Sequence, residues 1–199
     1  MKSKIWKKGL FVLLGILLLF VLFIIGDGIF SPIPFRQLDS FSGIVIDSDS
    51  KKPLTGAAVL AIYYHESYSI AGANLWATDG QETLTDENGK FYIPSKKRWF
   101  VLYRGYTQGK LIIFKPGYGV FPSHKFSKAV GVNKTWPPPE KSVVYKLPKL
   151  STKEERKANM YFNDFYDLPH QKIINFLNIL NEEYKYLGIR PYSIKEQEK

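Results

Sequence analysis

The sequence predicts a mainly β protein, in which an antiparallel β-sandwich follows an N-terminal transmembrane helix and precedes a C-terminal pair of helices. Three observations lead to this prediction. Gly9–Gly26 contains no charged side chain, short β-branched and aromatic segments fill the middle of the chain, and apolar residues near its end recur at helical spacing. We expect four parts: a cytoplasmic tip and anchor over 1–30, a linker over 31–41, the sandwich over 42–150 and a helical extension over 151–199.

The anchor is predicted from length and charge. The eighteen residues from Gly9 to Gly26 would form a helix of roughly 27 Å, close to the thickness of the hydrocarbon core. Lysines precede this segment, so the positive-inside rule predicts a cytoplasmic N-terminus and a periplasmic or extracellular domain, in a single-pass protein of the bacterial inner membrane. The alternative is a signal peptide cleaved near Gly26-Asp27-Gly28. The chain has no cysteine, which excludes a lipoprotein anchor and disulfides.

Six segments of the middle region are predicted strands because they are short, rich in β-branched and aromatic residues, and bounded by turn residues. They are Ser42–Asp47, Ala57–Tyr64, Leu75–Thr85, Lys90–Ile93, Leu111–Phe114 and Ser142–Leu147. Asp86-Glu-Asn-Gly between the third and fourth predicts a hairpin, with Gly89 at positive φ. Two stretches without a clear period, Glu66–Asn74 and Tyr118–Pro139, are predicted loops.

Two helices are predicted after Leu150. Ser151-Thr-Lys-Glu forms a capping-box pattern, in which Ser151 and Glu154 begin a helix that runs to about Phe165. The second helix is expected from His170 to Leu187, where Gly188 ends it. Its apolar face is a candidate docking element for a partner. We call this face the docking stripe: Ile173, Ile174, Leu177, Leu180 and Tyr184.

Four sequence blocks occur in a characteristic order in the middle region. They are Gly43-x-Val45-x-Asp47, Pro53-Leu54-x-Gly56-Ala57-x-Val59, Thr85-Asp86-Glu87-Asn88-Gly89-Lys90-Phe91-x-Ile93 and Lys115-Pro116-Gly117-Tyr118. With them, residues 42–147 resemble the carboxypeptidase regulatory-like domain, a transthyretin-like sandwich of seven strands. The resemblance implies an adhesive, scaffolding or substrate-presenting role. It implies no peptidase site, since the zinc-binding peptidase domain of such proteins has no counterpart in this chain.

Basic and aromatic residues are interleaved around residue 100. We call Lys96, Lys97, Arg98, Arg104 and Tyr106 the basic patch. Such a mixture binds anions, and an exported domain is expected to meet anionic lipid headgroups or acidic glycans rather than nucleic acid. The alternative interpretation is an ordinary solvated strand face over core aromatics.

No catalytic residues and no cofactor are predicted. The three histidines, His65, His124 and His170, lack the spacing of a metal site, while Asp47 and Asp49 suit either a turn or a simple calcium site. The net charge of +10 favours anionic partners. We expect a membrane-tethered, non-enzymatic module that binds or scaffolds at the cell envelope, with an envelope protein or an anionic glycan or lipid as partner. The alternatives are a subunit that docks into an envelope complex through its C-terminal helices and a hydrolase on the transthyretin-like scaffold.

Overall fold

A computed structural model of the chain describes residues 13–19, 35–69, 72–99, 106–132, 137–162, 165 and 167–193. The strands in this part are β1 (Phe35–Leu38), β2 (Phe41–Asp47), β3 (Ala58–Ser69), β4 (Gly72–Leu84), β5 (Lys90–Ile93), β6 (Lys96–Trp99), β7 (Tyr106–Phe114), β8 (Lys128–Ala129) and β9 (Ser142–Leu147). The helices are α1 (Lys153–Ala158), a 3₁₀ turn (His170–Lys172) and α2 (Ile174–Leu187), and residues 13–19 are also helical. No helix among the described residues is both long and apolar enough to cross a membrane. Most of the predicted anchor Gly9–Gly26 lies outside them.

The strands form three sheets, with orders β5-β2-β9-β8, β4-β3-β7 and β1-β6. The predicted antiparallel pairing is confirmed for every pair of described strands except one. β2 and β9 run parallel, with Ser42 opposite Ser142 and Asp47 opposite Leu147. Both strands start at the same end of the domain because the long stretch 115–141 returns the chain to that end after β7.

The two larger sheets face each other across a shared apolar core. Alternate residues of β2, β3, β7 and β9 point into it, among them Val45, Val59, Ile113 and Tyr145. Gly43 leaves no room for a side chain, since a Cβ on it would stand 2.4 Å from the carbonyl oxygen of Val143 on the neighbouring strand β9. Phe91 is buried in the same core.

The C-terminal segment forms a third layer on the outer face of the β4-β3-β7 sheet. The outward residues of β3 and β7 share a second apolar core with α2 and with the segment between α1 and α2. Phe114 of β7 meets Phe176 of α2 edge-on, with ring centroids 6.2 Å apart. The central sheet is therefore covered on both faces, which explains why β3 begins with the unbroken apolar run Ala58–Tyr63.

The prediction of a loop at Glu66–Asn74 is wrong. β3 and β4 continue through most of it as one long antiparallel hairpin, paired from Ala58–Leu84 to Ser69–Gly72, with an irregularity after Tyr63. The segment lacks an apolar period because the outer half of this hairpin extends past the core, where alternate burial no longer constrains the sequence.

The Asp86–Gly89 turn forms as predicted, but it does not join a hairpin. Gly89 has φ +70°, and its amide donates to the Asp86 carbonyl oxygen at 2.9 Å. The strands on either side enter different sheets, since Leu84 pairs with Ala58 while Lys90 pairs with Ile44. The turn therefore transfers the chain from the central sheet to the outer one.

The first C-terminal helix differs from its prediction. The capping box is formed by Thr152 and Glu155, one residue later than predicted, and α1 ends at Ala158 rather than near Phe165. The chain leaves the helix early because Met160, Phe162 and Phe165 are all buried against the sheet, a placement that one continuous helix face would not allow. The second helix ends as predicted at Leu187, before Gly188 with φ +70°. It begins at Ile174 rather than at His170, because His170–Lys172 form a separate 3₁₀ turn.

Charged side chains fasten the third layer to the sheet. Lys172 forms an ion pair with Asp79 of β4, which is 1% exposed. Glu82 of β4 accepts hydrogen bonds from the backbone amides of Asn175 and Phe176, at 2.9 and 2.8 Å, and so caps the N-terminus of α2. Glu82 thus caps α2 from β4, because Ile173, the residue that precedes the helix, provides no side-chain cap.

Candidate functional site

The basic patch is described only in part. Lys96 and Lys97 are exposed residues of β6, and Arg98 follows them in the same strand. Tyr106 begins β7, in a different sheet. Arg104 and the side chains of Arg98 and Tyr106 lie outside the described residues, so the patch as a whole stays a prediction.

The docking stripe is not available to a partner. Ile173, Leu177 and Leu180 have no exposed surface and Tyr184 is nearly buried, all four in the core shared with β3 and β7. Only Ile174 reaches the surface, with 37% of it exposed. The stripe is amphipathic because it covers this chain's own sheet, and its assignment as an external docking element is corrected accordingly.

His124 and His170, the two histidines whose side chains are described, lie in different surroundings. The side chain of His65 is outside the described residues, His124 is half-buried in a loop, and His170 is buried with a ring nitrogen 3.0 Å from the Tyr192 hydroxyl. Among the residues that the structure describes, no three potential metal ligands cluster. The Asp47 carboxylate accepts from the backbone amides of Asp49 and Ser50, at 2.7 and 2.9 Å, which is the turn geometry rather than the calcium alternative.

The sequence blocks of the resemblance meet one another at one end of the two-sheet core. Buried Thr85 donates to the Leu54 carbonyl oxygen at 2.5 Å and accepts from the Ala57 amide at 2.8 Å. The Tyr118 hydroxyl bonds to the Asp47 carboxylate. These contacts join four turns in two pairs, and we call this end of the domain the turn end.

The electrostatics of Asp47 follow from these bonds. Burial raises the pKa of this carboxyl group, but hydrogen bonds from the amides of Ser50 and Asp49 and from the Tyr118 hydroxyl outweigh burial and hold its pKa below the ordinary value. The same arrangement raises the pKa of Tyr118, through burial and the neighbouring Asp47 charge. Asp47 is thus an ionised structural group that stabilises the turn end.

A cleft of about 520 Å³ opens at the turn end between the loop after Gly119, the chain after β9, and α1. Its lining residues are Ser123, His124, Lys125, Phe126, Pro148, Lys149, Leu150, Glu155, Ala158, Asn159 and Tyr161. The loop belongs to the predicted loop Tyr118–Pro139, which includes the cis peptide Phe121–Pro122. Asn159 holds it in place by donating to the Tyr118 carbonyl oxygen and accepting from the Val120 amide, both at 3.0 Å.

The cleft has basic side chains on two of its walls. Lys125 lies over the Phe126 ring, 4.6 Å from its centroid, and Lys149 is exposed on the opposite segment. His124 accepts from the Phe126 amide at its Nδ1 atom, at 3.3 Å, which places the proton of the neutral ring on Nε2. The acidic side chain, Glu155, accepts from the amides of Ser151 and Thr152 in the capping box. This arrangement suits a small anionic group beside an aromatic ring.

The sequence did not indicate this cleft, although it did indicate the loop. Some twenty residues, including β9, separate the first wall segment from the other two, and no local spacing relates Lys125 to Lys149. The sequence carried one signal for the cleft, the length of the predicted loop Tyr118–Pro139 without a hydrophobic period, since long loops often carry function.

Comparison of the chain with protein-family models, with curated proteins and with solved structures found no match in any of the three.

Proposed function

We propose that this protein is a membrane-tethered, non-enzymatic binding or scaffolding module of the cell envelope. Its β-domain would be a transthyretin-like sandwich of the carboxypeptidase regulatory-like kind, held on the periplasmic or extracellular side by the segment Gly9–Gly26. The cleft at the turn end would hold an anionic partner group, such as an acidic glycan.

The observation that carries the proposal is the exposure of the helical residues 13–19. Each of the leucine and isoleucine side chains in this segment is at least half exposed, from 51% for Leu14 to 69% for Leu13. Apolar side chains with this much exposed surface favour another apolar environment, and a bilayer provides it. The lysines that precede it favour a cytoplasmic N-terminus.

The contacts among the four sequence blocks support the proposed fold. The Asp86–Gly89 turn lies against β2, with its Gly89 carbonyl oxygen accepting from the Val45 amide at 2.8 Å, and Thr85 fastens the Leu54–Ala57 turn. Residues from different sequence blocks of the resemblance are thus hydrogen-bonded to one another. Two polar residues of the cleft, Glu155 and Asn159, are engaged in bonds that hold the fold, which favours binding over catalysis.

The tether is tested on the full chain expressed in a bacterial host. We expect the protein to remain in the membrane pellet after a carbonate wash and to float with vesicles in a density gradient. Protease is added to the outside of spheroplasts at a concentration that digests the folded β-domain in detergent-lysed spheroplasts, and it should degrade the β-domain and leave a short N-terminal fragment. Recovery of the protein only in the soluble fraction would overturn the tether, and a protected β-domain would overturn the proposed orientation.

The cleft is tested by binding of the detergent-solubilised chain to an immobilised acidic polysaccharide. Lys125→Gln combined with Lys149→Gln should weaken retention at moderate salt. Lys51→Gln combined with Lys52→Gln removes the same charge from exposed positions outside the cleft and serves as the control. Equal losses in the two double variants would mean that only net charge matters, and the cleft would lose its assignment.

A further inference from the structure

The end of the domain opposite the turn end is the one that the chain enters first. We call it the anchor end, because only the eight residues 27–34 separate Gly26 from β1. Fully extended, they span at most about 30 Å. The Tyr63 hydroxyl donates to the Asp39 carbonyl oxygen at 2.7 Å, and the Phe41 ring lies against Gly109. These contacts place the β1–β2 connection at the level of Tyr63, where the core ends.

The β3–β4 hairpin continues past Tyr63 in the direction of the anchor end. From Tyr64 to Ser69 it adds six paired residues, or roughly 20 Å of strand. Leu75 is 51% exposed and Trp76 is 40% exposed. Neighbouring residues of a strand lie on opposite faces, so both faces of this hairpin present apolar surface at the same height. A protein partner would cover one face, whereas insertion into a bilayer interface covers both.

The β1–β6 ribbon adds positive charge at the same end. Gln37 pairs with Lys97 and Leu38 with Lys96, and both lysines are exposed. The next pair in the register consists of two arginine positions, Arg36 and Arg98. The two strands of the ribbon contain no acidic residue. The charge of this ribbon therefore complements an anionic lipid surface.

From these observations we infer that the anchor end lies on the anionic bilayer that holds the tether, with Trp76 and Leu75 in the headgroup region and the β1–β6 ribbon against lipid phosphates. The inference rests on the proposed tether. Tryptophan favours the membrane interface, and basic residues near the tether add electrostatic attraction. The contact fixes the orientation of the domain, so that the cleft at the turn end faces away from the membrane.

The test uses the full chain in vesicles, either of phosphatidylcholine alone or with phosphatidylglycerol. Since the chain has no cysteine, Leu75→Cys and Tyr161→Cys each give one labelling position for an environment-sensitive fluorophore. Tyr161 is 89% exposed at the turn end and is the matched control. In anionic vesicles we expect a lipid-borne quencher to quench the label at position 75 several-fold more strongly than the label at position 161.

The basic ribbon is tested in the same vesicles. Lys96→Gln with Lys97→Gln should reduce the fraction of domains in contact, since each lysine changes association with an anionic surface by about fivefold. Lys153→Gln with Lys157→Gln in α1 removes the same charge at the turn end and should change nothing. Equal quenching at positions 75 and 161 in a chain that still floats with vesicles would overturn the inference and leave the tether intact. A chain that does not float would overturn the tether and the inference together.

Discussion

At the scale of single residues, two glycines with similar backbone angles should differ in what they tolerate. Gly56 and Gly89 have φ of +66° and +70°. A Cβ on Gly56 would meet only the flexible end of Lys115 at 3.6 Å, while a Cβ on Gly89 would lie 2.4 Å from the Val45 carbonyl oxygen. Gly56→Ala should cost about 1–2 kcal/mol through the left-handed backbone alone. Gly89→Ala should cost a further 1–3 kcal/mol or so through overpacking.

The measurement is the free energy of unfolding of the detergent-solubilised chain in a denaturant titration. Gly56→Ala serves as the control for the backbone effect. Equal losses in the two variants would mean that the outer sheet moves away from the turn without cost, which contradicts the close packing of Gly89 on β2.

Asp47 should contribute a pH-dependent part of the stability. Its folded pKa lies below the ordinary value of 3.8. The ionised form is therefore favoured by folding, and its contribution is present above pH 3.8 and lost as the pH falls through the lower folded pKa. Asp47→Asn should be less stable at neutral pH and should lose less stability on acidification. Denaturant titrations between pH 6 and pH 2 measure this, with exposed Asp49→Asn as control; parallel profiles for all three proteins would contradict the account.

At the scale of elements, the cap that β4 supplies to α2 should decide how firmly the third layer is held. Glu82→Ala leaves the amides of Asn175 and Phe176 without their carboxylate partner, so we expect a loss of about 1–2 kcal/mol. Faster hydrogen exchange should follow in the first turn of α2. Glu87→Ala, at an exposed turn position, is the control. Unchanged exchange in α2 would show that apolar packing alone holds the helix.

The ion pair between α1 and α2 should behave as a partly buried pair. Arg156 donates from Nε to one oxygen of Glu183 at 2.7 Å and from a terminal nitrogen to the other, and Glu183 is 3% exposed. Arg156→Leu leaves that carboxylate buried without its partner, which should cost about 3 kcal/mol. Adding Glu183→Leu should recover most of the loss. A double variant that is as unstable as the sum of both single variants would contradict the coupling.

The elements also show which features the sequence could indicate. The positions of six strands followed from short apolar segments between turns, and the Asp86–Gly89 turn from its residue types, because both signals are local. The short strands β1, β6 and β8 were not predicted. The sheet that each strand joins depends on contacts between residues distant in sequence. The residue types around Asp86–Gly89 therefore indicate a hairpin that does not form, and nothing local in β9 indicates its parallel pairing with β2. The docking stripe is an apolar helix face, as predicted, but it packs on this chain's own sheet rather than on a partner. The unbroken apolar run in β3 carried the missing signal, since a strand that is apolar on both faces needs a second covering layer.

At the scale of the whole molecule, the central sheet and the third layer packed on it connect the anchor end of the domain to its turn end. The central sheet carries the hairpin at the anchor end and is covered by α2. Glu183 of α2 pairs with Arg156 of α1, and α1 forms one wall of the cleft at the turn end. The proposed binding at the cleft and the proposed contact with a bilayer would therefore lie at opposite ends of one packed unit. A rigid connection of this kind suits a module that presents a partner at a set height above the membrane.

The last prediction concerns the division of the chain at Leu150. If residues 42–150 were self-sufficient, a chain that stops at Leu150 would fold. Removal of the third layer instead exposes the outer residues of β3 and β7 (Ala58, Leu60, Ile62, Ile112 and Phe114), all of them buried in the full chain. An apolar patch of this kind on a sheet promotes aggregation. We expect chain 1–150 to aggregate or to be digested rapidly in limited proteolysis. Chain 1–193, which keeps every described C-terminal residue, should resist digestion as well as the full chain does. A protease-resistant 1–150 fragment with the stability of the full chain would show that the two-sheet core folds without its helical cover.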